Sequence, residues 1–131
     1  MNRSNLTKTS VAAVCLACLF SLRVAAQTDA PKYRVIAFYT GKDETAHTSF
    51  VGEANRWLSR TAAQRGFSFE STTNWENLIL EFLANYQVVL FLDSRPDAPA
   101  QREAFQKYME TRGGWMGFHF AGFALTPSRF P

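Results

Sequence analysis

Hydrophobic and polar positions change period several times along this chain, and each change marks an element. Residues 33–39 hold a continuous apolar run, Val35, Ile36, Ala37 and Phe38, which predicts a strand covered on both faces. After the polar loop Thr40-Gly41-Lys42-Asp43-Glu44, apolar residues recur at helical spacing: Phe50, Ala54, Trp57, Leu58 and then Thr61. This predicts a helix over 49–65, with Thr48 or Ser49 capping its start and Gly66 its end. Residues 67–71 alternate apolar and polar, as a strand with one wet face at a sheet edge does. Thr73-Asn74-Trp75-Glu76 reads as a capping box that opens a helix through Leu78, Ile79, Phe82 and Leu83, ending near Asn85. Residues 87–92 form a third, central strand. Pro99 falls in the first turn of a third helix, where its missing amide costs nothing. That helix has Ala104, Phe105, Tyr108 and Met109 as its core face and Gly113 as a left-handed end cap. A last apolar run, residues 115–118, is bounded by glycines and reads as a buried fourth strand, with His119 where it stops.

Strands alternating with helices predict an α/β, three-layer fold of flavodoxin-like type: a parallel sheet in which the second strand lies outside the first. In that order the carboxyl ends of strands one, three and four are neighbours, and His47, Asp93 and His119 face one crevice. A fully apolar fourth strand left at an edge would present unpaired amides, which natural sheets avoid. The chain therefore reads as the N-terminal part of a larger α/β domain, truncated after the fourth strand.

Residues 1–26 stand apart. Arg3 and Lys8 precede an apolar stretch over residues 11–22, and Val24-Ala25-Ala26 follows as a small-residue cleavage site, so the segment reads as an export signal. Its apolar stretch is shorter than the about 20 residues a membrane span needs, so no span is expected after cleavage. Removing it takes away Arg3, Lys8 and Arg23 from the 14 Lys plus Arg, leaving a balance with the 11 Asp plus Glu. The remaining chain has no basic excess and no nucleic-acid partner is expected. Both cysteines, Cys15 and Cys18, leave with the same segment, and with them any disulfide or thiol nucleophile. Residues 27–32 are a short lead-in, and residues 33–131 form one domain.

His119 sits beyond the carboxyl end of a strand, where open α/β sheets bind ligands. Imidazole changes charge near neutral pH, so acid-base work, a hydrogen bond to a sugar hydroxyl, or a structural bond to loop carbonyls all suit it. His47, just before the first helix, leans over the same crevice or stays a solvated loop group. These are the chain's two histidines. A metal site would need both plus Asp93 or Asp43, and no short histidine spacing supports it, so no metal is assigned. Asp93 is placed to cap loop amides or brace a crevice group. The loop after strand one has a single glycine and two acids beside Lys42, which argues against a phosphate or flavin cradle, and no cofactor is implied. Trp57, Phe105 and Tyr108 lie at core spacing, Trp115 is more suited to burial than to ring stacking, and Phe120 is the better stacking surface.

The stretch from Phe91 to Gly122 resembles the ThuA-like family, the trehalose-utilisation type of domain related to class I glutamine amidotransferases. The residues that carry the likeness are Ala104-Phe105-Gln106-Lys107-Tyr108, Gly113-Gly114-Trp115-Met116-Gly117-Phe118-His119 and Ala121. His47 and Ser49 after the first strand fit its opening pattern. The likeness covers the N-terminal half of the family domain. Related amidotransferases carry a cysteine at the strand-to-helix elbow where this chain has His119, so hydrolysis through a thioester is excluded. The resemblance implies carbohydrate metabolism, with His119 and His47 as catalytic candidates and Asp93, Thr40, Phe120 and Ala121 as substrate-binding candidates. A small-molecule carbohydrate is the expected partner, and the residues set no oligomeric state. An enzyme, a non-catalytic binding or accessory domain, and an inactive fragment all satisfy this sequence, because a fold is not an activity.

Overall fold

The computed structural model describes residues 30–42, 44–111 and 113–122, without the side chains of His119 and Phe120. The expected export signal and Asp43 lie outside the described residues, and among those residues no helix is long and apolar enough to cross a membrane.

Four strands, β1 (Arg34–Phe38), β2 (Ser68–Thr72), β3 (Val88–Phe91) and β4 (Gly114–Gly117), form one sheet in the order β2-β1-β3-β4. Every pairing is parallel, with Ile36 opposite Val89 and Leu90 opposite Met116. This is the three-layer α/β arrangement and strand order that the alternation predicts. Helix α1 (Thr45–Arg65) covers one face; α2 (Leu80–Leu83) and α3 (Pro99–Glu110) cover the other. Period-2 alternation divides each central strand between two cores. Ile36, Phe38, Val89 and Phe91 pack with Leu78, Leu83, Tyr86 and Tyr108 on the α2/α3 face. Val35, Ala37, Leu90 and Leu92 meet Val51 on the α1 face.

Several elements differ from the sequence expectation. Helix α1 begins four residues earlier, after Glu44, which makes no side-chain cap bond, so Thr48, Ser49 and His47 lie inside the helix. Its end is as expected: Gly66 takes φ 74° and its amide closes on the Ala62 carbonyl. Trp57, expected in the core, is 57% exposed, because Val51 and Ala62 define the buried line of α1 and Trp57 lies to its side.

The helix expected to run from Trp75 through Leu83 is broken. Asn74 caps a 3-10 turn at Trp75–Asn77 by accepting from the Glu76 amide at 3.1 Å, Ile79 is extended, and α2 is a single turn. In a continuous helix Leu78 and Leu83 would point roughly 140° apart, whereas the break lets both be fully buried. Gly113 is not a left-handed cap. Helix α3 ends at Thr111 with φ −89°, and positive φ among the glycines occurs at Gly41 and Gly66. Trp115 and Met116, expected to be buried, are 40% and 54% exposed, since β4 has β3 as its one described neighbour.

Candidate functional site

The candidate site is the rim where β1, β3 and β4 run out. Main-chain bonds carry the sheet up to it: the Leu92 amide donates to the Phe38 carbonyl at 3.1 Å and the Phe118 amide to the Phe91 carbonyl at 3.0 Å. Asp93 follows one residue later. It is 2% exposed, the one charged side chain buried among the described residues. A carboxylate taken out of water needs donors, and three converge here. Its Oδ1 accepts from the Thr40 amide at 2.7 Å, and its Oδ2 accepts from the Gly41 amide at 2.8 Å and from Thr40 Oγ1 at 3.0 Å. Bonds of this charge-assisted kind are about twice as strong as neutral ones. Gly41 turns the chain at φ 63°, a conformation that glycine takes without a Cβ penalty.

The other side of the same loop is held by Trp75. Its indole N–H donates to the Tyr39 carbonyl at 3.2 Å while its ring packs on Phe38 and Phe91. Gln101, on α3, donates in turn to the Trp75 carbonyl at 3.1 Å. The chain leaving β1 is therefore clamped between β3 and α3. Between the clamps opens a cleft of about 280 Å³, lined by Thr40, Trp75, Ser94, Arg95, Asp97 and Gln101. Its lining thus combines residues that bear hydroxyl, amide, guanidinium and carboxylate groups with the apolar Trp75 and Ala98, a mixture of donors, acceptors and apolar surface of the kind a sugar ring presents in turn.

The proposed site residues divide. Asp93 and Thr40 are bonded to each other. His47 is half-buried in the first turn of α1, and its amide donates to the Glu44 carbonyl at 2.9 Å. One turn further on, Phe50 meets Phe118 with ring centroids 5.2 Å apart. Phe118 immediately precedes the 3-10 turn His119–Gly122. This ring contact sets the α1 turn that carries His47 near Phe118, the residue before His119, while the side chains of His119 and Phe120 lie outside the described residues. Ala121 belongs to the other face: it packs against the α2/α3 core, and its amide donates to the Phe118 carbonyl at 3.0 Å. Sequence reasoning took Trp75 as part of a helix cap and left Gln101 without a role. A lone tryptophan among polar residues, three positions past the end of β2, is the signal by which the first could have been found.

The family model described as trehalose utilisation matches residues 34–130. The crystal structure of a ThuA-like protein from Bacteroides uniformis is similar to this chain at 34% identity with a TM-score of 0.69. The match covers 73% of this chain and 39% of that one. The chain therefore spans well under half the length of that relative. No curated protein matches it significantly. With the family model matched over most of the chain and the fold shared with a ThuA-like structure, this chain belongs to the ThuA, or trehalose-utilisation, family.

Proposed function

We propose that the chain is the N-terminal part of an exported protein that acts on a sugar, keto-sugar or glycoside at the rim of its sheet. In this reading His119 moves the proton and His47 assists, Thr40 and Asp93 shape the substrate side, and Phe120 and Ala121 complete the pocket beyond β4. The observation that supports it is the cleft beside Asp93, lined by hydroxyl-, amide- and charge-bearing residues together with Trp75 and Ala98, a combination that can bond the hydroxyls of a sugar and cover its ring. The leader-like residues 1–26 support the export part.

Calorimetric titration with trehalose and with simple keto-sugars, together with product detection, tests the reading. Saturable binding is expected. For an enzyme, His119→Ala lowers turnover by about 100-fold or more while the protein still unfolds cooperatively. A protein that neither binds nor converts any of these sugars ends the proposal.

A second reading, a non-catalytic carbohydrate-binding or accessory domain, is favoured by one specific observation. Both carboxylate oxygens of Asp93 are already engaged by the protein's own loop, so this carboxylate is committed to structure. Under that reading His119→Ala weakens sugar affinity and there is no turnover to lose.

A further inference from the structure

In many α/β folds the loop after the first strand offers successive backbone N–H groups to a ligand phosphate. Here the amides of Thr40 and Gly41 converge in the same way, with Gly41 in the left-handed conformation that brings neighbouring amides together. Their anion is internal. Asp93 reaches across from β3, 2% exposed, and takes both amides and the Thr40 hydroxyl. We infer that Asp93 fills the backbone anion site of this loop, so that the rim rejects phosphorylated ligands and selects uncharged ones.

The physical basis is direct. A phosphate approaching these amides would have to displace a carboxylate joined covalently to the fold, or lie against it at like charge. The surroundings do not offset that repulsion. The cleft beside Thr40 carries Arg95, but it also carries Asp97, and Glu44 follows Lys42 in the loop. Asp93 is thus a specificity-determining residue as well as a brace. That the uncharged ligand is a sugar rests on the proposed function; the exclusion of phosphate does not.

Two measurements on the full chain test this. In the first, wild-type protein labelled with 15N is titrated with inorganic phosphate, and separately with glucose and glucose 6-phosphate. The expected result is no saturable phosphate-induced shift at the Thr40 and Gly41 amides, and no preference for the sugar phosphate over the sugar. In the second, Asp93→Ala removes a carboxylate the size of formate. Its thermal midpoint is expected to fall, and formate is expected to restore part of it and to bind roughly tenfold more tightly than to wild type.

Saturable phosphate shifts at these two amides in the wild type, or tighter binding of glucose 6-phosphate than of glucose, overturn the inference. So does a folded Asp93→Ala variant that responds to neither formate nor phosphate, because the amides would then form no anion site. Should the variant fail to fold, the wild-type titration decides alone. A wild type that ignores both phosphate and sugar, with an Asp93→Ala variant that formate rescues, supports the anion-site assignment while counting against the carbohydrate reading.

Discussion

Gly113 has no room for a methyl group. A Cβ built there would lie 2.2 Å from Cε1 and 2.3 Å from Cζ of Tyr108. That ring cannot easily yield, since Tyr108 is buried and its hydroxyl reaches the carbonyls of Tyr86 and Gly114, each at 3.3 Å. Burial also raises the pKa of this phenol. Gly113→Ala is expected to destabilise the fold by about 1–3 kcal/mol, the usual cost of forcing a packed aromatic aside. Gly122→Ala, where nothing lies within 4 Å of the added carbon, is the near-neutral control. Urea denaturation of the two variants checks the contrast. At this scale the glycine was readable as special, but the reason is a ring five residues away and not a left-handed cap.

Between elements, the edge strand β2 is tied to its neighbours through Glu70. One carboxylate oxygen accepts from Arg34 of β1 at 3.0 Å and the other from the Tyr86 hydroxyl, ahead of β3, at 2.9 Å. The Arg34 guanidinium also lies over the Tyr86 ring at 4.9 Å. The bond from Arg34, then that from Tyr86, holds the Glu70 carboxyl below the ordinary carboxylate range, while burial and the bond to Glu70 push the Tyr86 phenol up. A carboxylate whose folded pKa is lowered contributes stability above its unfolded pKa of about 4.3, and that contribution is lost as pH falls through the folded value. Glu70→Gln is therefore expected to be less stable than wild type near pH 7, with the gap closing towards about pH 3. The difference is small, because the Arg34 and Glu70 side chains are 42% and 51% exposed and water screens them. Urea midpoints at the two pH values read it directly; a gap that widens in acid would contradict the assignment.

For the whole molecule, the salient feature is apolar surface on both sides of β4. A groove of about 480 Å³ includes Phe105, Met109 and Trp115 on the α3 side, and one of about 380 Å³ includes Phe50, Trp57 and Phe118 on the α1 side. Between them Met116 is 54% exposed on a strand whose one described partner is β3. Edge strands with apolar flanks associate through their unsatisfied main-chain groups and side chains. The 131-residue chain on its own is expected to self-associate with rising concentration. Met116→Lys should shift that onset to higher concentration, because a charge on the edge opposes pairing. Light scattering across a dilution series measures both, and an unchanged onset would place the contact elsewhere.

The strand order, the central places of β1 and β3 and the edge place of β2 were all legible before any coordinates. Apolar runs and alternating runs respond to how many faces a strand buries, and that is a local property of the sequence. That Asp93 would cap loop amides or brace a crevice group was legible from its place at the end of a central strand, although not that the loop is the one after β1. What the chain does between elements was not. The break before α2, the exposure of Trp57 and the placing of Ala121 on the face opposite Phe118 depend on which neighbours occupy the space around each side chain. Trp75 is the clearest case: in sequence it is one residue of a helix cap, and in the fold it holds the end of β1 against α3. Periodicity encodes which faces are buried, whereas the site is made by residues about 50 positions apart, such as Thr40 and Asp93, and only packing the two layers on the sheet brings them within hydrogen-bonding reach.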